Sequence, residues 1–253
     1  MEEISQSRRL KIVGILHTMI VVVWTVFSTI FFGILAILAS FFDRKGNLCH
    51  IVARSWGRSI LFAARIKVTV TGLSDIDPSR SYIYMSNHQS NFDIPVLLSH
   101  LAVQFRWLAK AELFRIPLFG MAMRRSGYIS IDRTDRRSAF RSLENAAEII
   151  RNGTSVMIFP EGTRSRDGSI QAFKKGGFVL AASSGVPIVP IVMHGTHRIM
   201  PKDRLEIAPG SVSVQIQKPI DTSGYTRKTK DDLMEKVRET ICEAFERGNL
   251  ERT

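Results

Sequence analysis

With 253 residues and 45 % hydrophobic content, the chain suffices for one domain of catalytic size plus an appendage. Two widely separated cysteines, Cys49 and Cys242, exclude a disulfide framework and a cysteine-based zinc site and suit a reducing compartment. The net charge of +12 is uneven, with nine Lys/Arg against Glu2, Glu3 and Asp43 in residues 1–70. No zinc-finger spacing, basic zipper or RNP-like aromatic pattern accompanies it, so an anionic membrane surface or an acidic substrate is expected and nucleic acid is not.

Residues 12–42 carry no charged side chain over 31 positions, more than the roughly 20 residues that cross a bilayer core. One straight helix of that length reaches about 46 Å, so a spanning helix, a tilted one and a half-immersed one are all open. The apolar core is too long for a cleavable leader, and no small-x-small site follows it. The excess of Arg44, Lys45, Arg54 and Arg58 on its C-terminal side places the rest of the chain in the cytoplasm, at the cell inner membrane. Residues 47–65 read as an amphipathic helix with Arg54, Arg58 and Arg65 near one edge, suited either to the headgroup layer or to packing on the body. Residues 1–65 are thus expected as membrane-associating helices and 66–253 as an α/β domain.

From Ile66 the periodicity changes. I-K-V-T-V-T-G alternates as a half-buried strand does. Y-I-Y-M (82–85) is a second strand, and it leads into S-N-H-Q-S-N-F-D. The next helix begins at or near Asp93, because Pro95 is tolerated only in a first turn. Strands are expected at 105–109, 128–131, 154–160, 186–193 and 211–217, with helices over 134–151, 174–184 and 226–248. Strands alternating with helices predict an α/β fold, a mixed and mostly parallel sheet flanked by helices, behind an N-terminal hydrophobic helical anchor.

Candidate functional residues gather where strands end, as expected of α/β enzymes. His88 and Asp93 follow one strand, and a histidine with a nearby carboxylate makes a general base with an orienting partner. Lys110, Arg133 and the block Glu161-Gly162-Thr163-Arg164 follow three others. Glycine lets the backbone approach an anion, and Arg164 can grip phosphate oxygens in pairs, so these residues read as a phosphate-binding wall opposite His88. Glu161 cannot favour an anion itself and is expected to position Arg164 or a hydroxyl. His194 and His197 have metal-like spacing but no third ligand nearby, and no metal is expected. The absence of G-x-S-x-G, a P-loop and G-x-G-x-x-G argues against a serine hydrolase, an NTPase and a dinucleotide enzyme.

Four blocks in order, N-H-Q-S-N-F-D (87–93), G-Y-I-S-I-D-R (127–133), F-P-E-G-T-R-S (159–165) and V-P-I-V-P (186–190), resemble the 1-acyl-sn-glycerol-3-phosphate acyltransferases. K-A-E-L-F-R-I-P-L-F-G (110–120) is family-like too, and the resemblance covers roughly residues 66–220. It implies acyl transfer from acyl-coenzyme A or acyl-carrier protein to the 2-hydroxyl of lysophosphatidate, giving phosphatidate for phospholipid biosynthesis, with no bound cofactor. His88 would then be the base and Asp93 its partner. Lys110, Arg133, Glu161, Gly162, Thr163 and Arg164 would bind the glycerophosphate, and Val186–Pro190 would shape the acyl side or pack the core. The competing readings are the same chemistry on glycerol-3-phosphate or another lysolipid, and a non-catalytic membrane protein that holds anionic lipids.

Overall fold

The computed structural model of the chain describes residues 2–132 and 135–250. Seven strands form one sheet in the order β1-β7-β6-β2-β5-β3-β4: β1 (Ile66–Thr71), β2 (Ile83–Ser86), β3 (Arg106–Lys110), β4 (Ile129–Ile131), β5 (Val156–Ile158), β6 (Ile188–His194) and β7 (Gly210–Ile216). All neighbours run parallel except β6 and β7. The expected mixed, mostly parallel sheet with flanking helices is therefore what the chain forms.

The sequence explains which strands lie inside. β1 alternates Ile, Val and Val with Lys, Thr and Thr, and at the sheet edge its burial alternates in step. β6, I-V-P-I-V-M-H, is buried at every position and pairs on both sides, with β2 parallel and β7 antiparallel. Pro190 is accommodated in this central strand at the end of the β7 ladder, whose last pair is Ile191↔Ile216; its carbonyl still accepts from Gln217 N at 2.9 Å. Strand 154–160 was expected longer. It contracts to Val156–Ile158 because Phe159–Gly162 close a turn, Gly162 N donating to Phe159 O at 3.0 Å with Gly162 at φ 71°.

The helices are α1 (Glu2–Ala39), α2 (Asn47–Ala63), α3 (Asp93–His100), α4 (Phe119–Arg125), α5 (Arg136–Arg151), α6 (Gly176–Ser184), α7 (Thr196–Ile199) and α8 (Lys230–Leu250). α4, α7 and a short helical turn over Ala111–Arg115 had no counterpart among the expected elements. In α5, Asp135 caps the N-terminus, its carboxylate accepting from Arg137 N and Ser138 N. α5, α6 and α8 cover one sheet face through a core that includes Ile150, Phe178 and Ile241.

α1 and α2 pack side by side, tied by Trp24 Nε1 to Ser59 O (3.2 Å) and Trp56 Nε1 to Thr29 Oγ1 (3.1 Å). Their inner face belongs to the core of the α/β body, since Val21, Ile60 and Leu61 share one apolar cluster with Tyr84, Leu97 and Met193. The outer face is a long apolar strip of half-exposed side chains, Ile12, Leu16, Met19, Val23, Phe27 and Phe31 among them. Residues Ile12–Ala39, with mean hydropathy 2.5, are long and apolar enough to cross a membrane. Yet Thr18 Oγ1 accepts from Ile207 N at 3.0 Å, and Ala36 packs with Ala122 of α4. Those two points lie about 27 Å apart along the helix, so α1 runs alongside the body for much of its length.

Arg106 fastens the α1–α2 connection. It is 6 % exposed, and one Nη donates to Lys45 O and Asn47 Oδ1, both at 2.8 Å, the other to Gln104 Oε1 and Phe105 O. Burial lowers its pKa below the usual guanidinium range. Leucine there would take the donor from four acceptors, among them Lys45 O in the connection and Asn47 Oδ1 at the start of α2. Arg106→Leu is therefore expected to cost about 2 kcal/mol and to loosen the hairpin first. Protease cleavage within 40–47 at a denaturant level that leaves the sheet folded is the readout; wild-type resistance there would count against this role.

Candidate active site

β2 ends at Ser86 in the middle of the sheet, and the chain turns back to enter α3. Asn87, fully buried, fixes the turn on β6 with its side chain: Nδ2 donates to Met193 O at 2.9 Å and Oδ1 accepts from Met193 N at 2.8 Å. Ser90 Oγ adds a bond to Met200 O at 2.8 Å. α3 then starts with Asp93, where the positive end of the helix dipole favours a carboxylate.

The five-residue step from His88 to Asp93 closes across this turn. His88 Nδ1 and Asp93 Oδ2 are 2.7 Å apart. The same oxygen accepts from Gln89 N at 2.7 Å and Ser90 N at 2.9 Å, so it receives three donors. Because a carboxylate so occupied acts as an acceptor, Nδ1 carries the hydrogen and Nε2 keeps its lone pair. Asp93 is 0 % exposed, and its Oδ1 has no partner among the described residues. The His88 ring also lies flat on Phe159, centroids 3.9 Å apart and planes 8° from parallel, and Phe159 stacks in turn on Trp107 at 5.4 Å. Ring position, tautomer and ring plane are thus all determined before a substrate arrives.

Glu161 was expected to position Arg164 or a hydroxyl, or by resemblance to bind the glycerophosphate; its hydrogen bonds are to backbone. It is 1 % exposed, and both oxygens are taken by backbone: Oε1 accepts from His88 N at 2.7 Å, Oε2 from Gln171 N at 2.8 Å. Ser165 N adds a bond to His88 O at 2.8 Å, so the E-G-T-R turn is clipped to the histidine from both sides. Burial pushes the Glu161 carboxyl up to about 7, the two N–H donors pull against it, the Asp93 charge raises it further and Arg238 lowers it.

A cavity of about 290 Å³ opens at this point. His88, Lys110 and Gly162 line it, and the rest of its lining is mostly apolar, with Gly33 and Ala36 from α1, Trp56 from α2, Leu98 from α3 and Met123 from α4, beside the hydroxyl-bearing Thr29, Ser126 and Tyr128. It runs between the sheet and the α1–α2 hairpin, under the segment 111–125 that sequence periodicity had missed. Arg164 is half-buried beside Gly162, and Thr163 is exposed, its Oγ1 accepting from Lys202 Nζ at 3.1 Å. Arg133 lies outside the described residues. None of Val186–Pro190 lines the cavity; that segment leads into and occupies the buried strand β6. His194 stacks on Phe245 at 4.7 Å, and no group of three metal-ligating side chains occurs among the described residues.

Sequence reasoning had passed over Asn87, Phe159, Trp107 and Lys202. The first two stand inside the motif blocks and could have been flagged by position. Lys202 had no signal, because its partner is 39 residues away. A base whose lone pair faces an apolar channel, beside cationic side chains, can deprotonate a hydroxyl on a molecule that carries both a long chain and an anionic group.

Comparison with known proteins agrees with this geometry. The family model described as Acyltransferase matches residues 67–194. A 1-acyl-sn-glycerol-3-phosphate acyltransferase of Haemophilus influenzae is 36 % identical over 219 residues, covering 82 % of this chain and 88 % of that protein. A chloroplastic enzyme of the same name from Brassica napus is 40 % identical over 207 residues, 81 % of this chain, but the match spans only 58 % of that longer protein. Across that enzyme and two further relatives, from Arabidopsis thaliana and Chlamydomonas reinhardtii, the chain spans 54 to 63 % of the relative's length. Among solved structures, the 1-acyl-sn-glycerophosphate acyltransferase PlsC of Thermotoga maritima superposes with a TM-score of 0.81 at 29 % identity, covering 94 % of this chain and 97 % of that one. Family model, sequence relatives and solved fold therefore converge, and the chain belongs to the acyltransferase family, with the 1-acyl-sn-glycerol-3-phosphate acyltransferases as its relatives.

Proposed function

We propose that the protein transfers an acyl chain from an acyl-thioester, acyl-coenzyme A or acyl-carrier protein, to the 2-hydroxyl of 1-acyl-sn-glycerol-3-phosphate, making phosphatidate. The observation that carries this reading is the His88–Asp93 pair opening onto an apolar cavity walled by the α1–α2 hairpin. His88 Nε2 takes the hydroxyl proton while Asp93 holds the resulting imidazolium. The freed oxygen attacks the thioester carbonyl, the carbon–sulfur bond breaks, and the departing thiolate takes the proton from His88. The ester product and a free thiol balance the step, with no acyl-enzyme in it. The apolar cavity accommodates acyl chain, and Lys110, Arg133, Gly162, Thr163 and Arg164 face the glycerophosphate. Glu161 is a positioning residue in this scheme, holding the His88 backbone.

The exposed strip on α1 is taken up by lipid, with the hairpin lying in one leaflet and the basic residues at its ends on the headgroups. The α1 contacts at Thr18 and Ala36 favour that placement over a perpendicular span, since both ends of the stretch touch the body. The body then faces the cytoplasm at the inner membrane, where both candidate donors are found.

The test offers the purified chain lysophosphatidate, glycerol-3-phosphate and monoacylglycerol with an acyl-thioester and follows thiol release. Lysophosphatidate is expected to be the preferred acceptor; turnover of glycerol-3-phosphate with none of lysophosphatidate would move the protein to another substrate. Arg164→Ala is expected to raise the acceptor KM about tenfold, the worth of one charge-assisted contact, with kcat little changed. An unchanged acceptor KM would remove Arg164 from the phosphate site.

A further inference from the structure

The acceptor's phosphate needs more than one cation, and Arg133 and Arg164 are the two arginines that the motif blocks supply. We propose that Lys202, outside every block, is a further ligand for that phosphate, closing an anion site over the E-G-T-R turn together with Thr163 and Arg164. The proposal deepens the lysophosphatidate reading and rests on it.

Its geometry starts from one bond. Lys202 Nζ donates to Thr163 Oγ1 at 3.1 Å, which uses one of the three ammonium hydrogens. Lys202 is half-buried, and no ion pair among the described residues includes it or Arg164. Asp203, next in sequence, is engaged by Arg166 at 3.1 Å. Asp167 accepts from Ser165 and Ser169, and Glu206, in the loop of Lys202, forms no ion pair among the described residues. Two cations without counterions therefore stand at one turn. Because the Thr163 hydroxyl accepts from Lys202, its own hydrogen is free to donate outward. The joined ammonium and hydroxyl, with the guanidinium of Arg164 carried on the next residue, supply donor types suited to the several oxygens of a phosphomonoester. Gly162, at φ 71°, leaves the backbone beside them uncovered by a side chain.

The loop carrying Lys202 is held at both ends to parts of the site. Met200 O accepts from Ser90 Oγ of the catalytic turn, and Ile207 N donates to Thr18 Oγ1 of α1. Lys202 is thus carried between the helix whose outer strip is apolar and the turn that bears His88. A lysolipid with its chain in an apolar layer and its headgroup at the rim would set its phosphate there.

The test measures binding and turnover separately on the full chain in mixed micelles. Lysophosphatidate and monoacylglycerol of the same chain length are titrated against wild type, Lys202→Ala and Lys202→Arg. The expected result is about tenfold weaker lysophosphatidate binding in Lys202→Ala, unchanged monoacylglycerol binding, and recovery of most of the loss in Lys202→Arg. In turnover, the acceptor KM rises by the same factor while the donor KM stays put. Wild-type lysophosphatidate affinity in Lys202→Ala would overturn the proposal. So would equal weakening of both ligands with a lowered Tm, which marks a structural lysine. A wild-type chain that binds lysophosphatidate through its phosphate but never acylates it would instead overturn the proposed function, leaving the Lys202 result readable.

Discussion

Replacing His88 by alanine is expected to reduce acyl transfer by about three orders of magnitude while acceptor and donor KM stay within a few-fold. The size follows from what the structure invests in one ring. Asp93 sets its tautomer, Phe159 its plane, and Glu161 and Ser165 the backbone on either side. Alanine removes the base and leaves the cavity and the cationic side chains in place, so binding survives and the chemical step does not. Asp93→Asn tests the same arrangement from the other side. An amide can face His88 Nδ1 with its oxygen or its NH2, and it loses charge stabilisation of the imidazolium either way. It is expected to lie between wild type and His88→Ala in kcat. Thiol release under saturating acceptor and donor decides the matter: a His88→Ala enzyme with wild-type kcat would end the general-base mechanism.

The second large effect is on stability. Glu161→Ala takes the acceptors from two half-buried N–H donors, on His88 and Gln171, at a cost of about 4 kcal/mol, which is roughly 10 °C in Tm for a chain of this size. Glutamine is no rescue. Its oxygen serves one of the two donors, and its NH2 meets the other donor head-on. The pH dependence has a defined sign. Burial holds the Glu161 carboxyl up to about 7 in the fold against an ordinary 4.5. A carboxyl raised on folding contributes fully below about pH 4.5, and that contribution fades as pH rises through 7. The stability gap between wild type and Glu161→Gln is therefore widest below about pH 4.5 and narrows by about 3 kcal/mol towards pH 8. Thermal unfolding of both proteins across that range measures it. A gap that widened with pH would mean that the N–H donors outweigh burial.

How much of this the sequence disclosed follows from the range of each interaction. All seven strands could be located because alternation and apolar runs are local signals; their ends shifted by one or two residues, and Val156–Ile158 lost two at each end, the later two to the Phe159–Gly162 turn. The His88–Asp93 pair was legible for the same reason, since a strand end, a short turn and a helix start separate the two residues. Glu161 was legible as unusual but not in its contacts, because its partners are backbone amides and carry no residue identity. The segment 111–125 stayed hidden because Pro117 and Gly120 break any helical period, although it forms a cavity wall. The bond from Ile207 to Thr18 joins residues 189 apart, and nothing near either one announces it.

That long-range bond, with the packing of α2 on α3, has a consequence for how the protein can be handled. Two residues, Ala64 and Arg65, separate α2 from β1, and a side chain at Gly57 of α2 would meet Pro95 O of α3 at 2.9 Å. The apolar hairpin is therefore a wall of the molecule and not a tether, and cutting it away would remove part of the shared apolar core. It would bare the back of α3 and open the cavity along its side. It also means that the elevation of His88 above the hairpin's outer strip is a constant of the fold. A flexible leash would let the reactive nitrogen sample many heights over a surface. Here the chain works as a depth gauge, offering its base at one level to whatever lies in the layer beneath.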